Sequence, residues 1–307
     1  MPTHDRAELM LATLASALAQ RDVDLEVVVV DDGSTDDTLE VLAQVDDDRL
    51  RVVRHGHARG VGAARNTGIR EAHGEWVAPL DDDDLWAPGK LAAQLAAARA
   101  SGRDWVVTLA VQFLLPGPVP WVASGPRSAE SLSAVLPTKN AVPGGGSGVL
   151  ARRDAVLRQG GFDPDLSLLG DWDMWLKLLR AGPPAVVNEH LVGYRLHPQS
   201  MSARNAERVF SELAVLDERY RDLRDGHPLK PVDTFRWFGM TAWRSGDRAA
   251  ARRWYLRGAR AGDRAAVVKV LRSLVPVQRL RRHTTTWPEG VLDWLEPALG
   301  ARPPSTV

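Results

Sequence analysis

Four consecutive aspartates, Asp81 to Asp84, stand between the apolar run Glu75 to Leu80 and the pair Leu85-Trp86. A second acidic pair, Asp31-Asp32, closes the run Leu25 to Val30. Taken alone, a row of acids is more often a solvated turn than a site. Here each cluster follows a buried-type run, which puts the acids at a cleft rather than on an open face. Like charges packed into a cleft are costly unless a cation neutralises them. Carboxylate oxygens favour Mg²⁺ or Mn²⁺ over softer metals, so the chemistry within reach is that of a hard divalent ion.

Strands and helices must hold these acids in place. Leu25 to Val30 is short, rich in valine and apolar nearly throughout, the pattern of a strand covered on both faces. Asp31 to Asp36 supplies a turn and N-cap residues, and Asp37 to Gln44 reads as a helix. Leu50 to Arg54 is a second strand, followed by a Gly-rich turn and a helix over Val61 to Ala72. Glu75 to Leu80 is a third strand, Pro88 to Ala100 a helix, and Asp104 to Leu115 a fourth strand. The alternation predicts an α/β fold with a mostly parallel sheet and helices on both faces. In such sheets ligands bind beyond the carboxyl ends of the strands, where both acidic clusters fall.

The middle of the chain changes character. Pro116 to Pro143 reads as a surface excursion, and Gly144 to Gly148 as a flexible loop before Val149. Beyond about Ala203 the pattern is helical only, giving an expected boundary near Arg204: residues 1–203 as the catalytic domain, 204–307 as a helical extension. Phe235, Phe238-Gly239, Ala242, Gly246, Ala251 and Tyr255 have the spacing of one tetratricopeptide unit. No second copy follows, and one unit cannot bury its own face, so it must dock on something else.

Lys plus Arg number 39 and Asp plus Glu 39, so net charge singles out no partner among the 307 residues. The absence of cysteine excludes disulfides, thiolate zinc sites and thiol nucleophiles, and fits a reducing, cytoplasmic setting. Met1 is followed by the polar Pro2-Thr3-His4-Asp5-Arg6, unlike a secretory leader. The longest apolar stretch, Trp105 to Leu115, is well short of the roughly 20 residues of a membrane span. Arginines crowd positions 244 to 282, where Arg248, Arg252 and Arg260 fall near one helical face and Trp254 lies off that face and can point inward. That face is either solvated or a dock for an anionic acceptor peptide or a membrane surface. Nothing there resembles a groove-reading motif, so no nucleic-acid partner is expected. The Ala- and Arg-rich composition suggests a bacterial source.

The segments LEVVVVDDGSTDDT, GVGAARNTGI, GEWVAPLDDDDLW, GGFDPDL, GDWDMWLKL and YRLHPQSMS, in that order, resemble a family-2 glycosyltransferase of GT-A fold over about Pro2 to Ser202. The resemblance implies an inverting transferase that uses a nucleotide-sugar donor, UDP-linked by preference, and Mn²⁺ or Mg²⁺. It implies that Asp32 meets the nucleotide base with Thr3 nearby, and that Arg65 lies close to base or phosphates. Asp81 and Asp83 form the Asp-x-Asp pair: Asp83 binds the metal, while Asp81, with Asp82 beside it, serves the nucleotide-sugar. Asp171 matches the catalytic base, and His197 a position that completes the metal or diphosphate site. One base and one Lewis acid suffice for this reaction, whereas a sugar hydrolase needs a facing carboxylate pair. The implied acceptors are a Ser, Thr or Cys side chain of a peptide, or a glycan, lipid or small metabolite.

Two departures stand out. Gly170 replaces an acid beside Asp171, and the apolar strand that family members carry before the Pro-Thr is absent, so either the natural start lies upstream or neighbouring backbone groups lack partners. Read without the resemblance, Asp171 is an ordinary helix N-terminal acid and His197 a surface loop residue. Asp31 braces a turn, and Trp172 and Trp175 belong to the core. Gly60-Val61-Gly62-Ala63-Ala64-Arg65 also suggests a dinucleotide-binding oxidoreductase, but Arg65 stands where a third glycine belongs. A non-catalytic sugar- or peptide-binding relative is the remaining alternative.

Overall fold

The computed structural model describes residues 1–114, 121–122, 125, 128–196, 206–244, 246–272 and 287–300. They fall into two compact units. One contains Met1–Leu136, Asn140–Leu196 and the described residues from Trp287 onward; the other contains Pro137–Lys139 and the described residues between 206 and 272.

The first unit begins with a parallel three-stranded sheet: β1 (Pro2–Thr3), β2 (Val27–Asp31) and β3 (Leu50–Arg54), with β2 central. The valines of β2 explain its position. Val27 and Val29 pack on Met10 and Leu14 of α1 (Leu9–Leu18) and on Leu42 of α2 (Thr38–Ala43). Val28 and Val30 turn to the opposite face, against Ala64 of α3 (Val61–Glu71). Helix α1 has no counterpart in the sequence reading. Its ten residues, LMLATLASAL, are apolar nearly all round and eight are buried, so no polar face marks a helical period.

A six-stranded sheet follows, in the order β4 (Trp76–Val77), β8 (Val149–Arg152), β6 (Trp105–Leu114), β9 (Ala185–Leu196), β5 (Leu85–Trp86), with β7 (Trp121–Val122) pairing β6. Only β6 and β9 run parallel here; the remaining pairs are antiparallel. Strand β4 is shorter than the expected Glu75 to Leu80. It pairs along one edge only, and Pro79 has no N–H to extend the ladder. Helices α4 (Lys90–Ser101), α5 (Ala129–Val135), α6 (Arg153–Arg158) and α7 (Gly170–Ala181) complete the region up to Leu196. Trp172 and Trp175 of α7 are core residues, and Trp175 stacks on Trp105 at 6.3 Å.

The second unit is helical among its described residues: α8 (Ala206–Arg219), α9 (Val232–Arg244), α10 (Arg248–Arg260) and α11 (Arg264–Arg272), with a 3₁₀ turn over Arg221–Arg224. Helices α9 and α10 form the hairpin whose spacing the sequence shows, turning at Gly246 (φ +89°). The buried Tyr255 lies flat over Gly239, where a Cβ would sit 2.6 Å from a ring carbon. Trp254 points inward, 4.9 Å from the Phe238 ring. Asp263, buried, takes both ends of the Arg236 guanidinium at 2.6 and 2.5 Å. Gly239→Ala is therefore expected to overpack the helix crossing and cost about 1–3 kcal/mol. Urea unfolding followed by tryptophan fluorescence checks this, and an unchanged midpoint would mean that Tyr255 swings aside freely.

The last described helix, α12 (Val291–Gly300), packs Val291 and Leu295 on Leu85, Val111 and Phe113. Residues beyond 204 thus contribute to both units instead of forming one continuous extension.

Candidate active site

The carboxyl ends of β1, β2 and β4 converge with the start of α7. Asp31, wholly buried, accepts the Ser34 N–H at 3.0 Å and braces the turn after β2. The Asp32 carboxylate faces the 56–60 loop. It accepts the N–H groups of Arg59 (2.9 and 3.1 Å) and Gly60 (2.7 Å) and lies 2.7 Å from His55 Nδ1. Protein donors largely occupy it, so its first effect is to fix the entry into α3, where Gly60 adopts φ +91°.

The four aspartates divide the work among them. Arg65, projecting from α3, meets Asp81 Oδ1 at 2.5 Å and lies over the Phe162 ring, 5.1 Å from its centre. Burial works against the Arg65 charge, but Asp81, and then Asp171 and Asp83, raise its pKa overall. Asp82 accepts the Thr3 hydroxyl at 2.8 Å. Burial, reinforced by Asp83, pushes its pKa up to about 7. Asp83 faces Arg6, with Nη1 3.5 Å from its carboxylate. Asp84 is fully buried and accepts the Arg195 N–H of β9 at 3.1 Å. Burial first, then Asp83 and Asp81, hold its pKa well above the usual carboxylate range, and its hydrogen bond ties the loop to β9.

A buried polar brace stands behind the aspartates. Ser147 Oγ accepts the Asp81 N–H at 3.1 Å, while the Ser147 carbonyl accepts the Trp86 indole N–H at 2.9 Å. Gln94 donates to the Gly148 carbonyl at 3.0 Å, and its own carbonyl accepts Lys90 Nζ at 2.8 Å. The expected flexible loop Gly144 to Gly148 is therefore held fast: Gly145–Gly148 forms a 3₁₀ turn in which Gly146, Ser147 and Gly148 are buried. Sequence cannot show this, because polyglycine has no side chains to announce what packs on it.

That loop passes between Asp171 and the Arg65–Asp81 pair. A Cβ on Gly145 would lie 3.4 Å from Asp171 Oδ2, and one on Gly146 3.2 Å from Arg65 Nη2. Asp171 occupies the first turn of α7, where Asn140 Nδ2 donates to it at 3.1 Å and the Trp172 N–H at 2.6 Å. Burial raises its pKa, with Arg65 opposing. Gly170 beside it is not demanded by space: a Cβ there meets nothing closer than 3.8 Å.

Thr3, Arg65, Asp81, Asp82, Asp83 and Asp171 thus gather around one site, with Asp32 behind the loop at its edge. His197 lies outside the described residues. Sequence reading assigns no role to Arg6, Asn140, Ser147 or Tyr194. Tyr194 of β9 has its phenol pushed well above the ordinary range by burial first and then by Asp84, Asp83, Asp81 and Asp171. Its place three residues before His197, in the YRLH segment, is the signal that could have pointed to it.

An α/β scaffold that presents clustered carboxylates and a buried arginine at its strand ends has a polar, charged site, and comparison with known proteins gives the family. Residues 1–157 match the profile of glycosyl transferase family 2. The putative teichuronic acid biosynthesis glycosyltransferase TuaG of Bacillus subtilis (strain 168) is 30% identical over 250 residues, covering 78% of this chain and 93% of TuaG. The Escherichia coli UDP-Glc:alpha-D-GlcNAc-diphosphoundecaprenol beta-1,3-glucosyltransferase WfaP is 34% identical over 88 residues, 29% of this chain and 35% of WfaP. Among solved structures, the mannosyltransferase PcManGT of Pyrobaculum calidifontis, in complex with GDP-Man and Mn²⁺, superposes with a TM-score of 0.53 at 21% identity, covering 91% of this chain and 80% of that one. The chain belongs to glycosyl transferase family 2 and has the GT-A fold. Against several other curated relatives the match spans only 30–38% of their length. No helix among the described residues is long and apolar enough to cross a membrane.

Proposed function

We propose that the chain transfers a hexose or N-acetylhexosamine from a UDP-linked donor to a hydroxyl of a saccharide acceptor, with inversion at the anomeric carbon. The observation that carries this reading is the opposition of Asp171 to the Arg65–Asp81 pair across Gly145 and Gly146. A lone raised-pKa carboxylate on one side and a cationic, partly unpaired guanidinium on the other suit a proton acceptor facing a diphosphate. Arg65 Nε is buried without a hydrogen-bond partner, so a phosphate oxygen would complete it. Asp171 takes the acceptor proton, the acceptor oxygen bonds to the anomeric carbon, and the nucleoside diphosphate departs with the bonding electrons. Asp81 and Asp82, with Thr3, face the nucleoside side of the donor.

A divalent cation fits the donor set. Burial first, and then the neighbouring carboxylates, lift the Asp82 and Asp84 pKa values, and the hard oxygens of the cluster suit Mn²⁺ or Mg²⁺. Mg²⁺ and Mn²⁺ in such sites bind through one or two carboxylates plus substrate phosphates. Asp83 would hold the ion, which when bound supplies Lewis-acid neutralisation of the leaving diphosphate. PcManGT, which shares the fold, was solved in complex with GDP-Man and Mn²⁺, and this supports a metal-assisted reading.

For the acceptor, the names of TuaG and WfaP point to polymeric or lipid-linked saccharides. A peptide Ser, Thr or Cys is a second reading, resting on the single helical hairpin of α9 and α10. The test is a matrix of nucleotide sugars against saccharide, lipid-linked saccharide and peptide acceptors, read by diphosphate release and product mass. A saccharide product of opposite anomeric configuration is expected. A product from peptides alone, or retention of configuration, overturns the respective part of the reading.

A further inference from the structure

Many arginines of the second unit stand in ion pairs. Arg208 meets Glu212 at 3.0 Å, Arg221 and Arg224 both meet Asp217 at 2.7 Å, and Arg257 meets Glu207 at 2.5 Å. Arg236 meets the buried Asp263 at 2.5 Å. Four arginines are left over. Arg252, Arg253 and Arg260 of α10 and Arg264 of α11 are exposed, and none has an ion-pair partner among the described residues. The sequence explains the surplus. Positions 248 to 272 carry eight basic residues and one acid, Asp263, which Arg236 already occupies. The whole chain is neutral, with 39 basic and 39 acidic residues, so this excess is a local separation of charge.

The four cations lie on the outward faces of two packed helices. On α10, Arg252, Leu256 and Arg260 follow at four-residue intervals, a stripe of about 12 Å, and all three are exposed. The other side of α10 buries Ala251, Tyr255 and Gly258. Helix α11 packs there through Ala266, and its positions Arg264, Val267 and Val268 are exposed. Ala261 and Gly262, in the turn between the helices, are exposed too, so the surface runs on from Arg260 to Arg264. Leu256 is 40% exposed, and Val267 and Val268, at 52% each, are the most exposed large aliphatic side chains among the described residues. Aliphatic side chains scattered singly over a surface are ordinary. Three of them interleaved with four unpaired cations form a patch.

We propose that this face docks on an anionic lipid bilayer. The guanidinium groups meet headgroup phosphates, while Leu256, Val267 and Val268 enter the boundary between headgroups and acyl chains. The cations are spread over two helices rather than converging on one point, which suits a field of headgroups better than a single bound anion. An acidic protein segment would satisfy the cations alone, whereas a bilayer also takes the aliphatic side chains out of water. At roughly fivefold in binding per arginine, the four favour anionic over neutral lipid by about 10²–10³-fold.

The experiment mixes the full chain with vesicles of phosphatidylcholine alone and of an equal mixture with phosphatidylglycerol, and reads binding by sedimentation in low and high salt. The parent is expected to bind the mixed vesicles at least about 10²-fold more tightly, with most of that preference lost in high salt. Arg252→Gln, Arg260→Gln and Arg264→Gln combined should weaken binding to the mixed vesicles by about 10²-fold. Val267→Ser with Val268→Ser should weaken it by about tenfold and leave the salt dependence intact. Both sets of substitutions fall at exposed positions, so thermal unfolding and turnover with a water-soluble saccharide acceptor should match the parent. Equal binding of the parent to both kinds of vesicle would overturn the proposal, as would equal binding by parent and glutamine variant. Binding of polyglutamate with none to vesicles would also overturn it and give the face to an acidic protein segment. Unaltered binding of the serine variant would overturn the insertion of the aliphatic side chains. Vesicles are bound without turnover, so a negative result would leave the transferase reading standing.

Discussion

Asp171→Asn is expected to lower kcat by roughly 10²–10⁴-fold, the usual loss for an absent general base, while donor affinity stays within about twofold of the parent. The substitution keeps the shape of the side chain and its acceptor for the Trp172 N–H, so α7 should form as before. The variant should also be no less stable than the parent at neutral pH. Burial raises the Asp171 pKa, so the native state holds its proton more tightly than the unfolded one. The ionised group then weakens the fold as pH rises through the native value, and an amide removes that penalty. Lost turnover with undiminished Tm would separate a proton-transfer role from a folding defect. Collapse of donor affinity, measured by calorimetry with UDP-sugar, would instead move Asp171 to the binding surface. An acid limb in the kcat profile of the parent, above the range of an ordinary aspartate, would mark the same group.

Asp83→Asn should abolish the response of the enzyme to Mn²⁺ or Mg²⁺ with little change in stability. The side chain is partly exposed, with Arg6 Nη1 3.5 Å from its carboxylate, so it carries charge rather than packing. Lewis-acid neutralisation of a leaving diphosphate is worth several kcal/mol, which at about 1.36 kcal/mol per decade corresponds to roughly 10²–10³-fold in turnover. Chelation of the parent should cause a loss of similar size, and chelation of the variant no further loss. Titration of Mn²⁺ in the presence of UDP gives an independent readout, because the diphosphate supplies the remaining oxygens. Undiminished turnover of the parent in excess chelator would dismiss the metal altogether.

Much of this site could be read from the chain because its parts are local. Alternation of apolar runs and turn clusters places β2, β3 and β6 within a residue or two of their observed limits, and α3 and α4 nearly as well. It also puts Asp31-Asp32 and Asp81 to Asp84 directly after strands. The resemblance added the expectation that Asp171 and Arg65 belong with them. Helix α1 escaped notice because an all-apolar segment has no periodicity to detect, and β4 was overestimated because edge pairing is not visible in a single run of residues.

What each acid does depended on partners far away in sequence. Asp82 accepts a hydrogen bond from Thr3, 79 residues distant, and Asp84 is tied to Arg195, 111 residues distant. Asp32 turns toward the loop that enters α3. The glycine run is rigid because Gln94 and Trp86 hold its carbonyls. The sequence by itself determined the class of fold, the strand-end location of the carboxylates and the family to which the chain belongs, since period, turn chemistry and motif order are properties of short stretches. Tertiary structure alone decided which carboxylates are buried, which are paired and which have raised pKa values, because burial and charge contact arise only when segments remote in sequence share one low-dielectric space.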